Sequence, residues 1–249
     1  MKIVYLVLGP MDQKEVSRRG ALLKRWASPG VEVDIHCVSQ GPLSIESQLE
    51  EYLSIPAAAK EIFKLEKEGY HAAILGCAGD PGLYAMREIT TQMPVIGPGE
   101  TSMHIAAMLG HRFTVLSPLE NANAGFYELA HRTGVTAKLA SVRAIHVAVL
   151  DLLGNKSAAL EKIIHEGKGA IREDRADTLI LGCMSMGFLD IAEEVQESLK
   201  IPVVNPSKAA LRMAETWVGS GLSHSKKAFP LPSKLTMGKV ASLDELFVC

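Results

Sequence analysis

Two cysteines stand at matching places in an internal repeat. Ala73-Ile74-Leu75-Gly76-Cys77 is echoed by Leu179-Ile180-Leu181-Gly182-Cys183. A second pair of short apolar runs also matches: Pro94-Val95-Ile96-Gly97-Pro98 starts 17 residues beyond the first cysteine, and Pro202-Val203-Val204-Asn205-Pro206 starts 19 beyond the second. Two like units, each closing an apolar strand on Gly-Cys, predict a duplicated pair of lobes. Ligands of open α/β sheets bind beyond the carboxyl ends of the strands, so two facing lobes would present both thiols to one cleft.

Two opposed thiols have a limited chemistry. A thiol ionises near pH ~8.5, and lower beside a helix N-terminus, where unpaired N–H groups make the local potential positive. One thiolate can take a proton from an acidic carbon while the opposite thiol delivers one to the other face, inverting the stereocentre. The same N–H groups can hold an enolate oxygen. No metal or cofactor is required. A free cysteine is more often a buried packing residue, but a matched pair after an apolar strand and a glycine points to function. Two other readings stay open: a decarboxylase or isomerase that uses one thiol, and a small-ligand binding protein whose thiols do no chemistry. A thiol titration separates the last of these from the enzymes.

The elements that must position these thiols alternate between strand and helix. KIVYLVL at 2–8 is a continuous apolar run suited to a covered parallel strand. A helix follows over 12–27, with Val16, Leu22, Leu23 and Trp26 expected on its buried face. VEVDIHCV at 31–38 is the second strand, and a loop over 39–47 leads to a helix expected at about 56–68. HAAILG at 71–76, a helix over 81–91, a strand at 94–97, a helix over 99–109 and a strand at 112–117 come next. The pattern then restarts with a helix near 122–133, strands near 138–149, a helix at about 155–173 and TLILG at 178–182. A helix over 188–199, a strand at 202–204 and a helix over 206–217 complete it. This alternation predicts an α/β fold of two pseudo-symmetric lobes, each a mostly parallel sheet flanked by helices. The expected division is 1–97 plus about 206–217 for the first lobe and 98–205 for the second, with an irregular extension over 218–249.

Composition narrows the function. The 249 residues are 47% hydrophobic and 22% charged, enough for a full core. Lys and Arg total 26 against 28 Asp and Glu, with no basic run, which argues against a nucleic-acid partner. No apolar stretch approaches the ~18 residues of a membrane span, and the charged residues Asp12 and Lys14 interrupt any leader-like start. A cytoplasmic protein acting on a small molecule is expected, and a homo-oligomer is compatible with this composition. Four cysteines without a CxxC pair provide neither a disulfide framework nor a zinc site. The chain has no phosphate-binding glycine loop, and Leu83 and Leu189 stand where a thiol phosphatase would need an arginine.

Gly76-Cys77-Ala78-Gly79-Asp80-Pro81-Gly82-Leu83, Pro94-Val95-Ile96-Gly97, Arg112-Phe113-Thr114-Val115-Leu116 and Leu181-Gly182-Cys183 together resemble the cofactor-independent aspartate/glutamate/hydantoin racemase superfamily, and within it the hydantoin and allantoin racemase branch. The resemblance spans roughly residues 1–217. It implies that Cys77 and Cys183 are acid and base on opposite faces of the substrate. It also implies backbone contacts from Ala78, Gly79, Met184 and Ser185, and a hydroxyl contact near Ser117. Members often carry Asn-Pro after the first strand, where this chain has Gly9-Pro10, and a bulky aromatic where it has Ala78. Gly9 and Ala78 therefore imply a roomier pocket lacking one amide anchor. Ala-Gly and Met-Ser after the cysteines, in place of Asn-Thr and Thr-His, argue against an amino-acid racemase acting on free glutamate.

Other residues have plainer expected roles. Asp80, before Pro81, has the form of an N-cap for the next helix. Glu100 and His104 are four apart and could face the cleft, though a solvated or capping pair is the commoner outcome. Cys37 is expected in the core and Cys249 at an exposed end.

Overall fold

In this computed structural model, which describes residues 1–239, 242, 243 and 245, the apolar runs that end in Gly-Cys are inner strands of two separate sheets. The first sheet contains β1 (Lys2–Val7), β2 (Glu32–Cys37), β3 (Ala72–Leu75) and β4 (Val95–Ile96) in the order β2-β1-β3-β4, all parallel. The second contains β5 (Phe113–Ser117), β6 (Leu139–Ala144), β7 (Thr178–Leu181) and β8 (Val203–Val204) in the order β6-β5-β7-β8, again parallel. The orders correspond, so the repeat in sequence is a repeat in space. Where strands were expected across 138–149, one strand ends at Ala144 and an irregular segment follows.

Alternation along the strands divides the core into three. Ile3, Tyr5 and Val7 of β1 join Phe113 and Val115 of β5 in a central cluster between the sheets. Val4 and Leu6 point the other way, onto α2 (Gln48–Lys67) and α3 (Leu83–Ile89). Leu116, Leu179 and Leu181 pack outward on α6 (Lys156–Glu173) and α8 (Ala192–Leu199). Period-two side-chain direction with both faces covered is why these strands read as unbroken apolar runs. Truncating a fully buried residue such as Ile74 would cost about 2–5 kcal/mol.

Helix starts follow local chemistry. Asp12 caps α1 (Gln13–Trp26), its carboxylate accepting the Glu15 N–H at 3.0 Å. The second helix begins eight residues earlier than expected, at Gln48. Ser47 accepts from the Glu50 N–H at 3.4 Å, while the Glu50 carboxylate accepts from the Glu46 N–H at 2.7 Å, and this start carries the helix through Pro56. The helix expected over 188–199 starts later, as α8 at Ala192, and a separate helical turn, α7 (Met184–Gly187), precedes it directly after Cys183, with a positive φ of 55° at Asp190 between them.

Two helices cross between the sheets. α4 (Pro98–Leu109) follows β4 of the first sheet but packs on β5, β7 and β8 of the second. α9 (Pro206–Gly219) follows β8 of the second and packs on β3 and β4 of the first. The pair also pack on each other, and α5 (Asn123–Arg132) lies against β6 and α4. Beyond Gly219 the described chain is mostly irregular. It runs along the first sheet's edge, where His224 Nε2 accepts the Val95 N–H at 2.9 Å, and includes one helical turn at Ser233–Thr236. Among the described residues no helix is long and apolar enough to cross a membrane.

Candidate active site

A cavity of about 410 Å³ lies where the carboxyl ends of the two sheets face each other. Val7 at the end of β1 and residues 8–11 after it, 76–79 after β3, Pro118 after β5 and 182–185 after β7 line it. These segments flank the points at which strand order reverses in each sheet, β1/β3 and β5/β7, where open parallel sheets leave a crevice. Cys77 and Cys183 occupy equivalent positions on its wall, both free and half-buried.

The glycine before each cysteine has a steric reason. A Cβ on Gly76 would come within 2.5 Å of the Leu6 carbonyl oxygen, and one on Gly182 within 2.7 Å of that of Leu116. Each neighbouring strand thus runs too close for any side chain, and the following residue turns into the cavity.

Burial pushes both thiols up, Cys77 well above its ordinary value. At Cys77 the Glu51 carboxyl adds to this, while the Gly79 N–H opposes it. At Cys183 the opposing groups are the Met186 and Ser185 N–H donors, the Arg19 guanidinium and the Ser185 hydroxyl. The helix-end donors expected from the sequence are present, yet without substrate they are outweighed by removal of the sulfur from water.

Two charged residues that periodicity did not select complete the site. The buried face of α1 is Glu15, Arg19, Leu23 and Trp26, whereas Val16 and Leu22 are only half-buried. Arg19 donates to Glu15 Oε1 at 2.6 Å and to Ser185 Oγ at 2.9 Å, and its guanidinium lies 4.8 Å from the centre of the Phe188 ring. Arg18 also pairs with Glu15, at 2.7 Å, and with the Phe188 carbonyl at 2.7 Å. Beneath Arg19, the Tyr5 phenol is fully buried and strongly disposed to stay neutral, within electrostatic reach of both cysteines. The other residue is Glu51, which lines the cavity from the first turns of α2. A Cβ on Gly79 would lie 2.4 Å from Glu51 Oε1 and 3.8 Å from Cys77 Sγ, so carboxyl and thiol converge on one spot. Burial raises the Glu51 carboxyl to about 7, opposed by Arg132 and aided by Glu128.

Of the residues expected at the site, Gly9, Pro10, Ala78, Gly79, Met184 and Ser185 line the cavity. Gly9 adds no room, because the space its side chain would occupy holds the Pro42 carbonyl oxygen, 2.0 Å from an ideal Cβ. Ser117 is fully buried behind the wall, where its hydroxyl donates to Asn123 Oδ1, and its neighbour Pro118 faces the cavity instead. Glu100 turns away from the cavity to pair with Arg87 at 3.0 Å, and His104 is exposed. Asp80 does cap a helix, but not the next one. It has a left-handed φ of 55°, and its buried carboxylate accepts from the Gly99 and Glu100 N–H groups of α4 at 2.9 and 2.6 Å. Burial raises that carboxyl to about 7 against the pull of the two donors. Cys37 is half-buried against the central core, and Cys249 lies outside the described residues.

Twin parallel sheets with matched strand order and a shared cavity at their switch points are the architecture of a two-lobed racemase. The chain belongs to the Asp/Glu/hydantoin racemase family, whose model matches residues 20–214, and is accordingly an isomerase. It is 38% identical over 195 residues, 78% of this chain and 77% of that protein, to the hydantoin racemase of Pseudomonas sp. (strain NS671). Among solved structures, the allantoin racemase from Klebsiella pneumoniae superposes with a TM-score of 0.85 at 30% identity, covering 93% of this chain and 94% of that one. The allantoin racemase from Pseudomonas fluorescens gives 0.83 at 28%, covering 93% and 97%. The resemblance read from the Cys-x-Gly-Asp-Pro-Gly segment and the repeat is borne out.

Proposed function

We propose that the protein racemises hydantoin-type rings bearing an apolar substituent at the stereocentre, by moving a proton between Cys77 and Cys183. One observation carries this reading: the two matched Gly-Cys turns open into the same cavity. The carbon attached to the substituent lies beside a ring carbonyl, which makes its proton acidic. The thiolate on one side takes that proton, and the C–H electron pair moves into an enolate. The opposite S–H then protonates the same carbon on its other face as the enolate collapses, so thiol and thiolate exchange places and no group is consumed. Backbone N–H groups at the two turns are the donors on hand for the transient oxygen charge.

Support for the ring comes from the hydantoin racemase of Pseudomonas sp.. Support for an apolar substituent comes from Leu43, Ile45, Phe126, Val149, Leu150 and Leu153, which make up much of the cavity lining. A ureido arm, as in allantoin, would lose water contacts against these apolar side chains. The test is deuterium wash-in at the stereocentre in heavy water, followed by NMR. Exchange with loss of optical activity is expected, fastest for hydantoins with aliphatic or aromatic substituents. Absence of wash-in overturns the reaction, and faster exchange of allantoin overturns the substituent.

A further inference from the structure

The two ends of the cavity differ in charge although the lobes correspond in backbone. On the Cys183 side, Arg19 is buried and fixed. It is held by Glu15 at 2.6 Å and joined to Ser185 at 2.9 Å, two residues beyond the thiol. Glu15 is shared by Arg18 and Arg19, so this cluster of three carries a net positive charge. On the Cys77 side, the Glu51 carboxyl converges on the thiol and is the charged group that acts on it most strongly. The buried Asp80 carboxyl adds to the negative character there, although it is turned to the start of α4.

We propose that Arg19 and Glu51 are positioning residues that polarise the cysteine pair, so that Cys183 is the first of the two to give up its proton and Cys77 is the one that keeps it. This rests on the two-thiol reading above and adds a direction to it. The groups facing Cys77 are Glu51 from α2, Asp80 from its own loop and Cys183 across the cavity. Those facing Cys183 are Arg19 from α1 and Ser185 from α7. Tyr5 lies below both and stays neutral. Glu128 and Arg132 on α5 act on Glu51 in opposite senses. A cation beside one sulfur and an anion beside the other separate their ionisation by ~tenfold or more in a poorly hydrated site. Only one enantiomer has its C–H aimed at Cys183, so the form ionised there accepts that enantiomer and must pass its charge to Cys77 before accepting the other.

Timed alkylation of the intact protein with iodoacetamide over a pH series, with Cys77, Cys183 and Cys37 followed separately by peptide mass spectrometry, tests this. Cys183 is expected to label with a midpoint at least about one pH unit below that of Cys77. Glu51→Gln should lower the Cys77 midpoint and leave that of Cys183 in place. Arg19→Lys should keep the Cys183 midpoint low, and Arg19→Gln should raise it. If Arg19→Gln does not fold, Glu51→Gln in the wild-type background decides. Coincident midpoints, a lower midpoint at Cys77, or no response of Cys77 to Glu51→Gln would overturn the proposal. Deuterium wash-in on the same preparation keeps the two readings apart: exchange with coincident midpoints removes the polarity and leaves the two-thiol reaction, while no exchange removes the reaction.

Discussion

The Glu46 carboxylate, in the segment after β2, accepts a hydrogen bond from the backbone N–H of Val149, in the segment after β6. This contact ties a loop of one sheet to a loop of the other across the mouth of the cavity. Ser44 steadies Glu46 through a 3.2 Å bond, and Leu43, Ile45, Leu150 and Leu153 from the same two loops line the cavity. A hydrogen bond to a charged group contributes about 1.5–3 kcal/mol, less where water competes. Glu46→Ala is therefore expected to raise KM by roughly three- to thirtyfold while changing kcat much less. Steady-state kinetics on the best substrate check this, and an unchanged KM would mean the mouth is not held by this bond.

Asp80→Ala removes the side-chain acceptor of the Gly99 and Glu100 N–H groups and leaves donors buried at the start of α4. A loss of about 2–4 kcal/mol is expected. Asp80→Asn, which retains one acceptor oxygen and avoids a buried charge, should cost less. Urea denaturation of both variants against wild type measures the difference. Equal losses would show that the carboxylate charge itself is required.

His224 gives stability a pH dependence with a definite sign. Burial, aided by Arg87, holds its imidazole down to about 4 from an ordinary value of 6.5. Between those values the unfolded chain binds a proton that the folded chain does not, so stability present above pH 6.5 is lost as pH falls toward 4. Thermal melts should therefore show the wild type falling relative to His224→Gln over that interval. Parallel curves would mean that His224 titrates alike in both states.

Position 78 should set the size limit of the ring substituent. Ala78 lines the cavity while its backbone approaches α4 so closely that a Cβ on Gly99 would lie 2.1 Å from the Ala78 carbonyl oxygen. That wall cannot retreat, so Ala78→Phe must project into the cavity. Turnover of the bulkiest good substrate should fall more than that of the smallest. An equal fractional loss across a graded series would exclude position 78 from substituent selection.

The thiols were legible because their signal is local: an apolar run, a glycine and a cysteine, repeated. Arg19 and Glu51 were not, because a charge on an amphipathic helix reads as a solvated face. Yet Glu15 and Arg19 fall on the Leu23–Trp26 stripe, and an acid four residues before a base on an apolar stripe was the available clue. Asp80 was read correctly as a capping residue and assigned to the wrong helix. A carboxylate that reaches past its own turn to Gly99 is a tertiary fact, visible only once β3 and β4 are paired. The helix expected at about 56–68 starts eight residues sooner, because the Ser47 and Glu50 side chains cap it at Gln48.

The exchange of α4 and α9 between the sheets has a consequence for how the chain is made. The first sheet is complete in sequence at Ile96, but the helix that covers its inner face at β3 and β4 is Pro206–Gly219. On a ribosome, that sheet would emerge more than a hundred residues before its cover, with apolar surface open throughout. At ~5–20 residues per second the wait is several seconds or longer. Neither half of the chain synthesised alone should reach a settled fold, whereas two halves produced together could complement each other.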